Sequence, residues 1–353
     1  MVAITSLLVI VICIFLLAIV TDEFFITSLD QISQRFKLSS DVAGASLMAM
    51  GSSAPELAIA LLALFKGGGE HSDLGIGTIV GSAVFNILII TGVSAIARPA
   101  KITWRVVVRD VVMYSLSLAL LFLTFSDGVI QLWEALSFLA LYAVYLLILA
   151  NWKAFHNGAT EDVIHTMEAE LEAEHHKTGG FHTIMRGITA AIGFLMGDPK
   201  ENYIRAFNVS VLLIGLISWF LVEYAIVFSE AVNIPPVIVA LTILAGGTSI
   251  PDMIASIVVA RQGRGEMAIA NAVGSNIFDI LIGLGLPWII AIIALGETVI
   301  VGTGDLWSSA IILLGTVVLL FIFLTTKYTL SRLEGWILVS CYGAYVLWAW
   351  FGG

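Results

Sequence analysis

Charged side chains are scarce in this 353-residue chain, making up 12% of it, about half the share found in an ordinary soluble domain. With hydrophobic residues at 59% and a mean hydropathy of +1.02, a soluble globular fold is excluded. Cysteine is almost absent. Cys13 and Cys341 both fall within apolar runs, too few for a disulfide framework, and read as small buried hydrophobes. Histidine occurs only at positions 71, 156, 165, 175, 176 and 182, all outside the apolar runs. An intramembrane metal enzyme, which needs His or Cys ligands and an open coordination position, is thereby set aside. Nothing reads as a phosphate loop: Gly75-x-Gly77-x-x-x-Gly81 has the wrong spacing for a dinucleotide fingerprint and sits in an apolar run. The opening Met1-Val-Ala-Ile4 lacks the basic region and small-residue cleavage site of a secretory leader, so the first run is expected to stay as a helix. No enzymatic activity, resident cofactor, nucleic-acid partner or obligatory protein partner is expected.

What the chain does hold is a series of apolar runs of about 20 residues or more, the length that spans a bilayer as a helix. Ten spans are expected, at 3–31, 40–65, 74–97, 104–126, 130–152, 206–232, 236–260, 266–294, 306–326 and 334–351. The fold class is therefore all-α integral membrane, with lipid as the main partner. The net charge of −10 matters less than where the basic residues fall. Arg35 and Lys37 follow the first span, and Arg98, Lys101, Arg105 and Arg109 surround the third connection. Lys153, Lys177, Arg186, Lys200 and Arg205 lie in a long central loop, Arg261 and Arg264 follow span seven, and Lys327 and Arg332 follow span nine. Fifteen of the 16 thus sit in alternate connections, with Lys66 the exception. The positive-inside rule then places both termini outside and residues 153–205 in the cytoplasm of a multi-pass cell-membrane protein.

Two short stretches break the apolar pattern: Gly51-Ser-Ser-Ala-Pro-Glu56 and Gly247-Thr-Ser-Ile-Pro-Asp252. A charge in lipid is expensive, so each acid should face protein or a watery cavity. Each proline removes its own N–H bond and frees the carbonyl four residues back, at Gly51 and Gly247. Carboxylate, hydroxyl and loosened carbonyl oxygens together form a ligand set for hard cations. A second pair of stretches echoes in the same way, Gly81-Ser-Ala-Val-Phe-Asn86 and Gly274-Ser-Asn-Ile-Phe-Asp279.

Five spans, an odd number, separate the copies, so the halves are expected to run in opposite directions as inverted repeats. Interrupted helices at matching positions of such repeats point to a transporter site near the midplane. Glu56 and Asp252 fall near the middle of their spans, and Asn86 and Asp279 about twelve residues, roughly 18 Å, into theirs. One common level is consistent with this; which way each side chain faces is not set by spacing. No Lys or Arg lies at that depth, leaving cations or protons as partners for the acids. The domains expected are 1–152, a five-helix repeat with its motif region at 40–97; the loop 153–205; and 206–353, a second repeat with its motif region at 236–290. Small residues at Gly44, Ala45, Gly75, Gly77, Gly81, Gly274 and Gly283 read as close helix packing. The acid-rich stretch 160–177, with His165, His175 and His176, reads as a solvated helix, and 180–196 is apolar enough to lie along a membrane surface. Asp22 and Glu23 in span one, and Glu223 in span six, read either as ion-access groups or as partners of polar groups on neighbouring helices.

These stretches resemble the α-repeats of the cation/calcium exchanger superfamily, nearest to its potassium-dependent sodium/calcium exchangers. The likeness is carried by Asp22-Glu-Phe-Phe25, Asp41-Val-Ala-Gly-Ala45, Gly51-Ser-Ser-Ala-Pro-Glu-Leu57 and Gly75-Ile-Gly-Thr-Ile-Val-Gly-Ser-Ala-Val-Phe-Asn86. In the second half it runs through Gly247-Thr-Ser-Ile-Pro-Asp252, Val259-Ala-Arg-Gln-Gly263 and Val273-Gly-Ser-Asn-Ile-Phe-Asp-Ile280. The resemblance covers roughly 20–97 and 236–290 and implies alternating-access antiport of Na+ against Ca2+. It implies Glu56 and Asp252 as central calcium ligands. Ser52, Ser53, Thr248 and Ser249 would add hydroxyls, Ala49 and Ala245 carbonyls, and Ser82, Asn86, Ser275 and Asp279 sodium or potassium positions. Potassium-independent members typically carry Glu in both Pro-acid motifs, whereas this chain pairs Glu56 with Asp252. Asp279 matches a position tied to potassium dependence, although some potassium-independent relatives share it. Ala83 departs from the pattern, standing where the second copy has Asn276. Animal members' large insertions are absent from this sequence, so a regulatory calcium-binding domain is not implied. The expected cargo is Ca2+ and Na+, with K+ moving alongside Ca2+; a potassium-independent Na+/Ca2+ exchanger or a Ca2+/H+ exchanger is the alternative. Spans one and six, long and lacking the motif, are the expected gates.

Overall fold

A backbone in lipid must satisfy its own N–H and C=O groups, and the apolar runs do so as helices. The computed structural model describes residues 1–35, 49–66, 71–101, 104–155, 187, 189, 191–296, 298–301, 304–325 and 328–352. In the first half, α1 (Val2–Ile19) passes through a wide π-helical turn at Val20–Ile26 into α2 (Thr27–Arg35). Two pieces follow, α3 (Ala49–Ser52) and α4 (Ala54–Phe65). Then α5 (Ser72–Phe85) continues through a π turn at Asn86–Ile90 into α6 (Thr91–Ala97), and α7 (Trp104–Phe125) and α8 (Leu132–Phe155) complete the half.

The second half repeats the pattern. It opens with α9 (Tyr203–Val232), followed by α10 (Pro236–Val239), a π turn at Ala240–Leu244, α11 (Ala245–Thr248) and α12 (Ile250–Arg261). After these, α13 (Gly265–Phe278) continues through a π turn at Asp279–Leu284 into α14 (Gly285–Leu295), and α15 (Gly304–Thr325) and α16 (Arg332–Phe351) close the chain.

Seven helices among the described residues are long and apolar enough to cross a membrane, and an eighth span results if the bent pair Pro236–Thr248 and Ile250–Arg261 counts as one. The expected ten is not reached by length and composition. Ala54–Phe65 is short, with residues 40–48 of the expected span outside the described set. Arg332–Phe351 is 20 residues long but rich in Trp, Tyr and Gly, which dilutes its apolarity. Arg109, counted with the third connection though inside the expected span 104–126, lies within α7 and grips its neighbour Asp110 with two hydrogen bonds, Nε to Oδ1 at 2.7 Å and a terminal nitrogen to Oδ2 at 2.9 Å. The histidine-bearing stretch 156–182, together with Asp41, Gly44 and Ala45, falls outside the described residues.

Four two-residue strands tie the connections together: β1 (Ala100–Lys101), β2 (Val129–Ile130), β3 (Val299–Ile300) and β4 (Thr329–Leu330). β1 pairs antiparallel with β4, and β2 with β3. The helices after β2 and β4 start alike. Glu134 reaches back to the Gln131 N–H at 2.8 Å, and Glu334 to the Ser331 N–H at 2.6 Å, each satisfying a donor the helix leaves open.

Between lipid-embedded helices there is little hydrophobic driving force, so close packing holds them together. A Cβ on Gly75 would lie 2.8 Å from the Ala60 backbone, and one on Gly81 would fall into the backbone of Leu241. Gly77 and Gly283 are also tight, whereas no described atom lies within 4 Å of a Cβ on Gly274. The larger core centres on Trp288, set edge-on to Phe138 and tilted against Phe125. A second core is built largely by α1, the following π turn and α9, with Leu17, Val20, Phe24, Leu221 and Val222 among its buried members.

Candidate ion site

Both Pro-acid motifs fold as helix breaks of the same design. Ser53 (φ −92°, ψ 8°) separates α3 from α4, and Ser249 (φ −88°, ψ 1°) separates α11 from α12. Each break falls just before a proline in the first turn of the next helix, where a missing N–H costs nothing. Across the second break the axis bends by 46°. Glu56 and Asp252 then sit in the first turns of α4 and α12, at the positive end of each helix dipole. Gly51 and Gly247 cannot receive the usual bond from four residues on, because Pro55 and Pro251 have no N–H.

The second pair of motifs also lands at matched irregularities. Asn86 and Asp279 each open a π turn, a feature that widens a helix locally and recurs at functional sites. The three carboxylates meet. Glu56 lies within electrostatic reach of both Asp279 and Asp252, and Asp252 within reach of Asp279. Glu56, Asn86 and Asp279 are at most 3% exposed; Asp252 is half-buried and lines a crevice.

Hydroxyls knit the cluster. Ser82 donates to Asp279 Oδ2 at 3.3 Å and lies 3.2 Å from the Ser249 hydroxyl, joining the two halves. Ser53 lies beside the Asp279 carboxyl and Thr248 beside that of Glu56, with the Thr248 hydroxyl donating to the Leu244 and Ala245 carbonyls at 3.1 and 3.3 Å. Ser52 lines the crevice beside Thr248 and Asp252. Other expected donors are turned to local partners. Ser275 donates to its own helix at the Asn271 carbonyl, 2.9 Å away. The Ala49 and Ala245 carbonyls accept the backbone N–H groups of Ser53 and Ser249 at 3.0 and 3.3 Å, and also the hydroxyls of Ser52 and Thr248 at 3.5 and 3.3 Å.

What the cluster lacks is compensation. Glu56 Oε2, Asp279 Oδ1 and Asn86 Oδ1 are buried without a hydrogen-bond partner. Lys66 pairs with Glu223 and Arg109 with Asp110, and neither pair touches the cluster. An unpaired buried carboxylate costs several kcal/mol, so these oxygens are built for a cation or a proton. Among the described residues no three His, Cys, Asp or Glu side chains converge tightly enough to hold a metal alone. Any bound cation must therefore draw on amide, hydroxyl and backbone oxygens as well, as the chemistry of Ca2+ and alkali ions allows.

Two functional side chains escape motif reading. Asn276 accepts from Asn86 Nδ2 at 2.9 Å and donates to the Ala83 carbonyl and the Tyr114 hydroxyl, both at 3.0 Å. It fixes the Asn86 amide nitrogen and leaves the Asn86 oxygen buried without a hydrogen-bond partner. The mismatch of Ala83 with Asn276 between the repeats was the available signal. Tyr114, 162 residues from Asn276, gave none.

Comparison with known proteins finds the same pattern on a wider scale. The family described as sodium/calcium exchanger protein matches residues 6–151 and 203–351, taking in the flanking spans as well as the motifs. Sodium/potassium/calcium exchanger 4 of Homo sapiens is 28% identical over 428 aligned residues, covering 77% of this chain and 68% of that protein. Sodium/potassium/calcium exchanger 3 of Rattus norvegicus is 27% identical over 447, covering 79% and 71%. Among solved structures, the H+/Ca2+ exchanger CAX matches with a TM-score of 0.70 at 15% identity, over 98% of this chain and 82% of that one. The sodium-calcium exchanger NCX_Mj, soaked with Na+ and Sr2+, matches with a TM-score of 0.57 at 20% identity, over 98% of each chain. At these identities the structural likeness establishes the fold.

Proposed function

Because the chain belongs to the sodium/calcium exchanger protein family, we propose that it is a secondary active antiporter that exchanges Na+ for Ca2+ by alternating access and moves K+ together with Ca2+. The observation that carries this reading is the set of three buried, unpartnered oxygens on Glu56, Asn86 and Asp279 beside Asp252. Glu56 and Asp252 neutralise one Ca2+, with hydroxyls of Ser52, Ser53, Thr248 and Ser249 and carbonyls of Ala49 and Ala245 filling its six to eight positions. Asp279, with Asn86, Ser82 and Ser275, balances a monovalent ion. Exchange follows because an empty site leaves carboxylates uncompensated in a low-dielectric barrier, so only occupied states switch sides.

The membrane topology proposed is ten spans in two inverted five-helix halves, 1–152 and 206–353, with both termini outside and residues 153–205 in the cytoplasm. The strand pairings support it: a two-fold relation between the halves exchanges β1 with β3 and β4 with β2, turning one observed pair into the other. The gate is α1 with α9, which build the smaller core largely between themselves and carry no Pro-acid motif.

The test is ⁴⁵Ca2+ uptake into sodium-loaded proteoliposomes, with and without external K+, for wild type and Asp279→Asn. Uptake needing both the sodium gradient and K+, with the K+ effect lost in the variant, is the expected result. Sodium-driven uptake indifferent to K+ moves the protein to the potassium-independent type. Uptake driven by a proton gradient and not by sodium overturns the sodium assignment.

A further inference from the structure

The first helix carries a feature that the cluster above does not use. α1 and the π turn after it lie directly over the helix breaks: Ile14 of α1 occupies the space a Cβ on Gly247 would take, and Ile26 Cγ1 of the π turn would lie 2.7 Å from a Cβ on Gly51. Between these two contacts a crevice opens, lined by Thr21 and Asp22 on the first helix and by Ser52, Thr248 and Asp252 on the breaks. Thr21 and Asp22 sit in the π turn Val20–Ile26. The Thr21 hydroxyl is buried, 3% exposed, and has no hydrogen-bond partner. Other buried threonines in these helices donate to the carbonyl four residues back, as Thr78 does to Leu74 and Thr242 to Ile238. Asp22 is exposed although it lies within the apolar stretch Val2–Ser33. A carboxylate facing lipid there would cost about 2.5–3.5 kcal/mol or more, and Asp22 lines the crevice instead.

We propose that Thr21 and Asp22 form an outer cation station on the access path to Asp252, where a hydrated Ca2+ or Na+ is held before it reaches the central cluster. The station supplies one carboxylate and one unpartnered hydroxyl on the gate side, facing Ser52, Thr248 and Asp252 on the breaks. This is a loose oxygen set that suits an ion keeping water on its open side. Its work is to raise the local cation concentration at the mouth of the site. The inference rests on reading the cluster as a cation site, and it adds a role for the first helix beyond gating.

The experiment compares sodium-driven ⁴⁵Ca2+ uptake by wild type, Asp22→Asn, Thr21→Val and Glu56→Gln. Asp22→Asn is expected to keep the maximal rate while its half-saturating Ca2+ rises roughly three- to tenfold at low ionic strength, the difference shrinking as choline chloride screens it. Thr21→Val is expected to show a smaller rise, and Glu56→Gln no uptake. An Asp22→Asn protein that matches wild type, or that loses maximal rate at unchanged half-saturation, overturns the proposal. If wild type shows no sodium-driven uptake, the exchange reading fails and the station is read separately by Mn2+ binding to detergent-purified protein, followed by electron paramagnetic resonance. Weak Mn2+ binding that survives Glu56→Gln and is lost in Asp22→Asn supports the station; equal binding by wild type and Asp22→Asn overturns it.

Discussion

Replacing Asn276 with alanine removes three buried hydrogen bonds at once: one accepted from Asn86 and two donated to Ala83 and Tyr114. The losses are unequal. The Ala83 carbonyl still accepts the Asn86 backbone N–H, and the Tyr114 hydroxyl can rotate. The Asn86 Nδ2, 1% exposed as part of that side chain, keeps no partner among those it has now. Three bonds at about 1 kcal/mol each, plus about 1–3 kcal/mol for one stranded amide, give a destabilisation of about 4–6 kcal/mol. Equilibrium unfolding in mixed micelles measures it. In a cycle with Asn86→Ala, the pair should show coupling of about 0.5–1.5 kcal/mol. Function should shift too: with Asn86 free to turn, its oxygen is no longer held in one orientation, and half-saturating Na+ for exchange rises. A stability loss below about 0.5 kcal/mol, or strict additivity with Asn86→Ala, would refute the reasoning that Asn276 orients Asn86.

Two further outcomes are expected. Gly81→Ala drives a methyl into the Leu241 backbone and should cost about 1–3 kcal/mol or more by overpacking. Gly215→Ala, with open space around it, should be neutral or stabilising by up to about 1 kcal/mol, and thermal unfolding in detergent compares the two. Reporter fusions give the topology: a fluorescent protein inserted within residues 160–177 should fold in the cytoplasm, and a periplasm-dependent phosphatase at the C-terminus should be active. The reverse pattern would contradict the orientation.

Much of the site was legible because its residues are out of place in lipid. A proline and an acid inside an apolar run have few reasons to occur, and the breaks at Ser53 and Ser249 follow from where the prolines sit. The depth argument for Asn86 and Asp279 rested on the same polar contrast. Their π turns were not legible, since a π turn arises from how a helix accommodates its neighbours and has no composition of its own. Nor was the Asn276–Tyr114 link, which depends on side chains far apart in sequence. Arg109 shows the limit of counting basic residues by connection: with Asp110 beside it as a bidentate partner, an arginine can sit inside a helix that a loop tally assigns elsewhere. Arg332–Phe351 shows the limit of hydropathy, because its aromatic residues lower the apolar score of a helix that packs closely on α6.

The account stands on one cluster serving two kinds of cation in turn. The most direct measurement is calorimetric Ca2+ binding to the purified protein at several fixed Na+ concentrations, with Glu56→Gln alongside. The account predicts Ca2+ binding whose apparent affinity falls steadily as Na+ rises, and no such binding in the variant. Ca2+ binding unaffected by Na+, or retained in full by Glu56→Gln, would contradict it.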